Sequence, residues 1–129
     1  MGYLLYTNVL IDLIDGASDF ESACTRFRDA GYLSVISAVE LHAGALIDGR
    51  VDREIQRRIA EIIASFTELP FTSTEAEAYA RIIPVIGFSR RMIIDRMIAV
   101  TALTNRLTLV TANRRDFRNI PDLTIEDWS

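Results

Sequence analysis

The sequence predicts an α/β fold: a central parallel sheet of about four to five strands, covered by helices in a three-layer arrangement. Three observations predict it. Short apolar runs alternate with amphipathic stretches along the whole chain. The first two runs, at Tyr3–Leu5 and residues 32–36, are apolar on both faces, as strands covered on two sides must be. The chain has 129 residues, half of them hydrophobic and a quarter charged, enough to bury a core as one domain over residues 1–129.

Each element has its own signal. After the first strand, Thr7 opens a short helix to Ile14, stopped near Gly16. Ser18 and Glu21 form a capping-box pattern for a second helix to Asp29, with Gly31 as its stop. Residues 32–36 form the second strand. Ser37 caps a helix through Ile47, which Asp48-Gly49 ends. Residues 52–66 are helical by period: Ile55, Ile59, Ile62, Ile63 and Phe66 share a face, while Arg53, Arg57, Arg58 and Glu61 oppose it. Residues 68–71 read as a weak or edge strand because of Pro70. Thr72 and Glu75 cap a helix to about Ile83, and Pro84 kinks or ends it. Residues 90–105 hold a further helix starting near Ile94. A strand at 106–111, a turn at 113–119 and a last strand at 123–125 complete the chain.

The composition excludes a disordered chain, a coiled coil and a collagen-like repeat. No apolar stretch approaches a membrane span, and no basic segment precedes an apolar one at the N-terminus. The lone Cys24 has no internal disulfide partner, so a reducing cytoplasm is the expected setting. The net charge is −4, and all fourteen basic residues are arginine. GC-rich coding explains that choice; so does recognition of phosphate or carboxylate by the guanidinium fork. A net acidic chain still binds RNA if its acids gather around a cation while arginines line the rim.

In a parallel sheet the ligand crevice lies beyond the C-terminal strand ends. Tyr6, Thr7 and Asn8 follow the first strand there, and Ser37 and Glu40 follow the second. Thr111, Asn113 and Asp116 follow the strand at 106–111, and Asp95 opens its helix among Ile93, Ile94, Met97 and Ile98. Taken singly, each has a plain structural role. Glu40 completes a capping box with Ser37, Asp95 complements a helix dipole, Asp116 caps a turn, and Thr111 and Asn113 are turn residues. His42 reads as a surface or half-buried residue, Cys24 as a small core residue, and Met92 and Met97 as packing. Together the acids carry a different message. Two carboxylates ~5 Å apart repel by about 3 kcal/mol at an effective dielectric of 20. A divalent cation removes that repulsion, and an all-oxygen donor set favours Mg²⁺ or Mn²⁺ over zinc.

The run Tyr3-Leu4-Leu5-Tyr6-Thr7-Asn8-Val9-Leu10-Ile11-Asp12 opens a specific pattern. It continues through Ser34-Val35-Ile36-Ser37-Ala38-Val39-Glu40-Leu41 and Asp95-Arg96-Met97-Ile98-Ala99. It closes with Leu109-Val110-Thr111-Ala112-Asn113-Arg114-Arg115-Asp116-Phe117. In this order the chain resembles, over essentially its whole length, the PIN-domain ribonucleases of type II toxin–antitoxin systems, the VapC-like toxins. The resemblance implies a PIN-like fold and an acidic cluster that holds Mg²⁺ or Mn²⁺ and cuts RNA by metal-assisted hydrolysis, leaving a 3′-hydroxyl and a 5′-phosphate. Glu40, Asp95 and Asp116 match three of the four family acids. Asp95 and Asp116 would meet the metal directly or through water, and Glu40 through water. Thr7, Asn8, Thr111 and Asn113 match the supporting polar positions. Arg90, Arg91, Arg96, Arg114 and Arg115 are candidates to guide the RNA backbone. The family further implies a homodimer and a VapB-like antitoxin, assembled as a hetero-oligomer away from membranes. Apolar helix faces carrying Leu10, Leu13, Ile14 and residues 55–62 are either its docking surface or the chain's own core.

The chain departs from the family at Tyr6, where the pattern has an aspartate. A phenol is neutral at pH 7 and a poor Mg²⁺ ligand, and Asp12, about two helical turns further on, is no replacement. The expectation is a weak or inactive nuclease. A single base change converts an Asp codon to Tyr, so Tyr6 is either a detoxifying change or the mark of a naturally degenerate module that binds antitoxin or RNA without cutting. A phosphotransfer or phosphatase domain on a similar parallel sheet is the rival enzyme reading, and the lack of both an aspartate at the first strand end and any lysine argues against it.

Overall fold

A computed structural model describes residues 2–128 and has a five-stranded parallel sheet. The order of elements is β1 (Tyr3–Leu5), α1 (Thr7–Asp15), α2 (Phe20–Arg26), β2 (Gly31–Ser34) and α3 (Val35–Gly44). Then follow β3 (Leu46–Ile47), β4 (Arg50–Val51), α4 (Arg53–Ser65), β5 (Thr67–Leu69) and α5 (Ser73–Ile86). The chain closes with α6 (Ile93–Thr104), β6 (Thr108–Thr111), a 3-10 turn (Arg114–Phe117) and β7 (Ile125–Asp127). The strands lie in the order β5-β2-β1-β6-β7. From β1 the chain therefore adds strands first on one side and later on the other. This puts a topological switch point between the C-terminal ends of β1 and β6, where open parallel sheets form their crevice.

Alternation along the strands divides the core. Leu5, Leu33 and Val110 project to one face, packing with Leu10, Leu13, Phe27, Leu41, Ile59 and Ile62 from the helices. Leu4 and Leu109 project to the other, with Ala78, Ile82, Ile98, Val100 and Phe117. Leu10, Leu13, Ile14, Ile59 and Ile62 are thus buried core; among these stretches it is Ile55, half-buried, that keeps an open side. No helix among the described residues is long and apolar enough to cross a membrane.

Several local expectations need correction. Asp19, not Ser18, caps α2, accepting from Glu21 N at 3.3 Å, while Ser18 Oγ accepts from Trp128 Nε1 at 3.1 Å. The helix ends at Arg26, and Asp29 at φ 59° makes the left-handed turn. Gly31 instead opens β2, where an added Cβ would stand 2.6 Å from Phe66 Cδ1 and 3.1 Å from Phe27 Cβ. Ser34, not Ser37, caps α3, accepting from Ile36 N at 3.0 Å, so β2 ends before Ile36. The helix stops at Gly44, and Asp48-Gly49 turns a hairpin of β3 and β4 instead of ending it. Both residues have positive φ, 51° and 77°, the signature of a tight hairpin turn. Pro84 sits inside α5, which continues to Ile86. The last two strands lie two residues later than expected at their starts, after Arg106 at φ 54° and Asp122 at φ 63°.

Candidate functional site

The polar residues singled out in the sequence come mostly from the C-terminal ends of β1, β2 and β6. Tyr6 directly follows β1, and Thr7 and Asn8 form the first turn of α1. Ser37 and Glu40 lie on α3, Asp95 in the first turn of α6, Thr111 ends β6, and Asp116 sits in the 3-10 turn.

Tyr6 occupies the centre. Its phenol donates to Asp95 Oδ1, and its ring meets Phe117 edge-on, with centroids 5.0 Å apart and planes at 79°. The residue is 9% exposed and belongs to the second core cluster. Burial pushes the phenol pKa far above its ordinary value, and the hydrogen bond to Asp95 with the charges of Asp95, Glu40 and Asp116 push it the same way. The phenol therefore keeps its proton and donates it to Asp95 in a hydrogen bond, while Glu40 and Asp116 act on it through their charge.

The other groups brace one another. Glu40 Oε1 accepts from Thr7 Oγ1 at 2.6 Å, and Thr7 Oγ1 lies 2.8 Å from Ser37 Oγ. Because α3 begins at Val35, Glu40 is not the third residue after its cap, and the capping-box role expected for it with Ser37 is not formed. Asn8 ties the first turn of α1 to the end of β6: its Oδ1 accepts from Ala112 N at 3.2 Å and its Nδ2 donates to Thr111 Oγ1 at 3.4 Å. Thr111 Oγ1 also accepts from Asn113 N at 3.1 Å, and Asn113 Nδ2 donates to Asp116 Oδ2 at 3.0 Å. Ser37 stood among the polar residues read at the strand ends, whereas Phe117 was not expected in the site. Ser37, one helical turn before Glu40, carried a readable signal; Phe117 lies beside an acid but had no polar role to mark it.

As it stands, this donor set does not fit a divalent cation. Among the described residues no three of His, Cys, Asp and Glu form a metal-holding group. The phenol lies between the acids and takes one oxygen of Asp95.

The arginines separate into distinct roles. Arg114 Nη1 is paired with Asp127 Oδ2 at 3.3 Å. Arg90, Arg91 and Arg115 are exposed and make no ion pair among the described residues. Arg96, expected among the residues that guide RNA, is only 8% exposed, and its Nη1 donates to Gly87 O at 2.7 Å, anchoring the loop between α5 and α6. His42 is exposed, while Cys24, Met92 and Met97 are half-buried.

Comparisons with known proteins bear on the family and the fold. A model of the PIN-domain family matches residues 3–123. The chain is 35% identical to Ribonuclease VapC of Rickettsia bellii, covering 97% of this chain and 95% of that one. Its fold is similar to VapBC from Salmonella typhimurium in a DNA-bound crystal structure, at 25% identity and a TM-score of 0.84 over 100% and 99% of the two chains. It is also similar in fold to VapBC2 from Rickettsia felis, bound to a DNA fragment from their promoter, at 23% identity and a TM-score of 0.83 over both full chains.

Proposed function

The chain belongs to the VapC-like PIN-domain family, and on that premise we propose that it is the toxin subunit of a toxin–antitoxin pair, a single PIN domain on the plan of a metal-dependent RNA endonuclease, whose cleavage Tyr6 holds weak or absent. The observation that carries the proposal is the Tyr6 phenol, seated among Glu40, Asp95 and Asp116 and donating to Asp95. PIN-domain VapC ribonucleases are generally dependent on a divalent metal, and cleavage by such an ion needs open, negatively charged oxygen ligands. On this reading the neutral Tyr6 ring takes the place of one such ligand. Glu40, Asp95 and Asp116 are the surviving acids of the site; Thr7 bonds to Glu40 and Asn113 to Asp116, while Asn8 and Thr111 tie down the segment that carries Asn113.

A VapB-like antitoxin is the partner this reading requires, and a homodimer in the cytoplasm is the form it would take. The open groove between α1, α3 and α4, lined by Ile11, Leu41 and Ile55 and reaching Glu40, offers an apolar seat for the antitoxin. The packing of Tyr6 on Phe117 favours a second reading, a naturally degenerate module that binds without cutting.

RNA cleavage in Mn²⁺ by the purified chain and by its Tyr6→Asp variant separates the readings. Loss of an outer partner of a metal ligand typically costs 10–100-fold, so restoring a direct ligand is expected to raise the rate at least about a hundredfold. Equal rates would reject the inhibitory role of Tyr6. An inactive Tyr6→Asp variant that also binds no Mn²⁺ by calorimetry would favour the degenerate module.

A further inference from the structure

A cavity of about 230 Å³ opens beside the acidic site and shares Asp116 with it. Arg91, Arg96, Arg115 and Arg118 line it, with Ile86 and Ile120 in its apolar wall. Four of the fourteen arginines of a net acidic chain thus meet at one recess. None of the four is in an ion pair among the described residues. Arg96 is the telling member. It is a buried base, and among the described residues its guanidinium bonds only to the neutral Gly87 carbonyl. A buried cation without a counter-ion is costly, and the low-dielectric wall strengthens its pull on any anion that enters.

We propose that this recess is a phosphate subsite that holds one backbone phosphodiester of single-stranded RNA next to the acidic site. The inference rests on the reading of the chain as an RNA-directed PIN domain and adds where the RNA is held. Guanidinium forks match phosphate oxygens in pairs, and four of them exceed what a single carboxylate can satisfy. Binding ligands whole takes cavities of roughly 300–1,000 Å³, so this one suits a group rather than a molecule. Asp116 belongs to both the cavity wall and the acidic site, which sets the held phosphate beside the position where a neighbouring one would meet the acids. The subsite needs no metal, so it operates in this chain despite Tyr6. Arg118 had no place among the residues singled out in the sequence; Arg90 and Arg114 lie outside the recess.

The test is binding of a short fluorescent single-stranded RNA to the full chain in EDTA, followed against salt. The exposed pair is changed together, Arg115→Gln with Arg118→Gln, and a charge-matched control carries Arg50→Gln with Arg53→Gln. The recess variant is expected to bind at least about tenfold more weakly and to lose about 0.7 from the salt slope for the lost phosphate contact, while the control matches the parent. Inorganic phosphate should raise the melting midpoint of the parent and not of the recess variant. Equal losses in variant and control, or a phosphate shift that persists in the variant, overturn the subsite. If the parent binds RNA and the recess variant binds as well, the subsite falls while the RNA reading stands. If the parent binds no RNA, the RNA reading itself falls. A glutamate-rich peptide that displaces the RNA at lower concentration than free RNA does would assign the recess to a protein tail. Dissociation of a dimer in the recess variant would assign it to a second copy; either result overturns the proposal.

Discussion

Tyr6 trades charge repulsion for a hydrogen bond and buried aromatic surface. An aspartate there would add a fourth carboxylate to Glu40, Asp95 and Asp116. The phenol instead donates to Asp95 and stacks edge-on against Phe117. Without metal, Tyr6→Asp is therefore expected to destabilise the fold by about 2–4 kcal/mol, lowering the melting midpoint in EDTA by roughly 5–15 °C. Mn²⁺ should recover part of that loss in the variant and little in the parent, because only a site that binds the ion is stabilised by it. A higher midpoint for Tyr6→Asp in EDTA would show that the ring is strained in place. At this scale the meeting of Tyr6 with Asp95 was legible because both were read at the same edge of the sheet. Arg96 was not legible: its position beside Asp95 suggested the rim, but the path of the loop through Gly87 turns its guanidinium inward. That path depends on a glycine at φ 74° and on tertiary packing, which residue type alone does not encode.

Glu75 shows how an element can depend on one buried acid. It is the third residue of α5, where its Oε1 accepts from Thr72 N at 2.8 Å and Thr72 Oγ1 at 2.7 Å. Its Oε2 accepts from Thr104 Oγ1 at 2.6 Å, tying the start of α5 to the end of α6. Burial pushes this carboxyl up, but the bonds from Thr104 and Thr72 outweigh it and hold the pKa below the ordinary value. A depressed folded-state pKa gives stability that is present above the unfolded value of about 4.3 and lost as pH falls through the folded value. Thr104→Val is expected to cost about 1.5–3 kcal/mol at pH 7, the range for a hydrogen bond to a charged group. Denaturant melts should show that difference shrinking below about pH 4 as the carboxylate is protonated. A difference that stays constant into acid would mean the threonine acts through packing. The cap of α5 was legible because Thr72 and Glu75 stand at the capping spacing and Thr72 directly follows the apolar run that ends at Phe71, although Thr74 and Glu77 share that spacing. The caps of α2 and α3 each had two polar candidates, Ser18 or Asp19 and Ser34 or Ser37, and the backbone chose the one in extended conformation. Asp48-Gly49 suits a helix stop as well as a hairpin turn, so β3 and β4 emerged only with their pairing.

The whole molecule gathers its acids, an arginine-lined recess and an apolar groove near one another. Strand order places acids from α3, α6 and the 3-10 turn at the switch point, with an arginine-lined recess on one side. On the other side the groove between α1, α3 and α4 leads up to Glu40. The alternation of strands and helices made the sheet legible, but local periodicity does not tell which apolar side chains are left uncovered once the layers close. Ile11 is such a residue: 43% exposed, it lies on α1 outside the core cluster that takes its neighbours Leu10, Leu13 and Ile14. A partner segment laid in the groove would bury it beside Leu41 and Ile55, and its end would reach the acids. Ile11→Asp removes that apolar surface and places a charge against the incoming segment. At about 25 cal/mol per Å² the lost burial alone is worth roughly 2 kcal/mol, so affinity for the antitoxin should fall at least about thirtyfold. The free chain should melt within about 0.5 kcal/mol of the parent, because the site is on the surface. Titration calorimetry against the antitoxin decides the point: full affinity in Ile11→Asp would move the docking surface off this groove, whereas a loss confined to the complex would fix the antitoxin's course along α1 to the mouth of the acidic site.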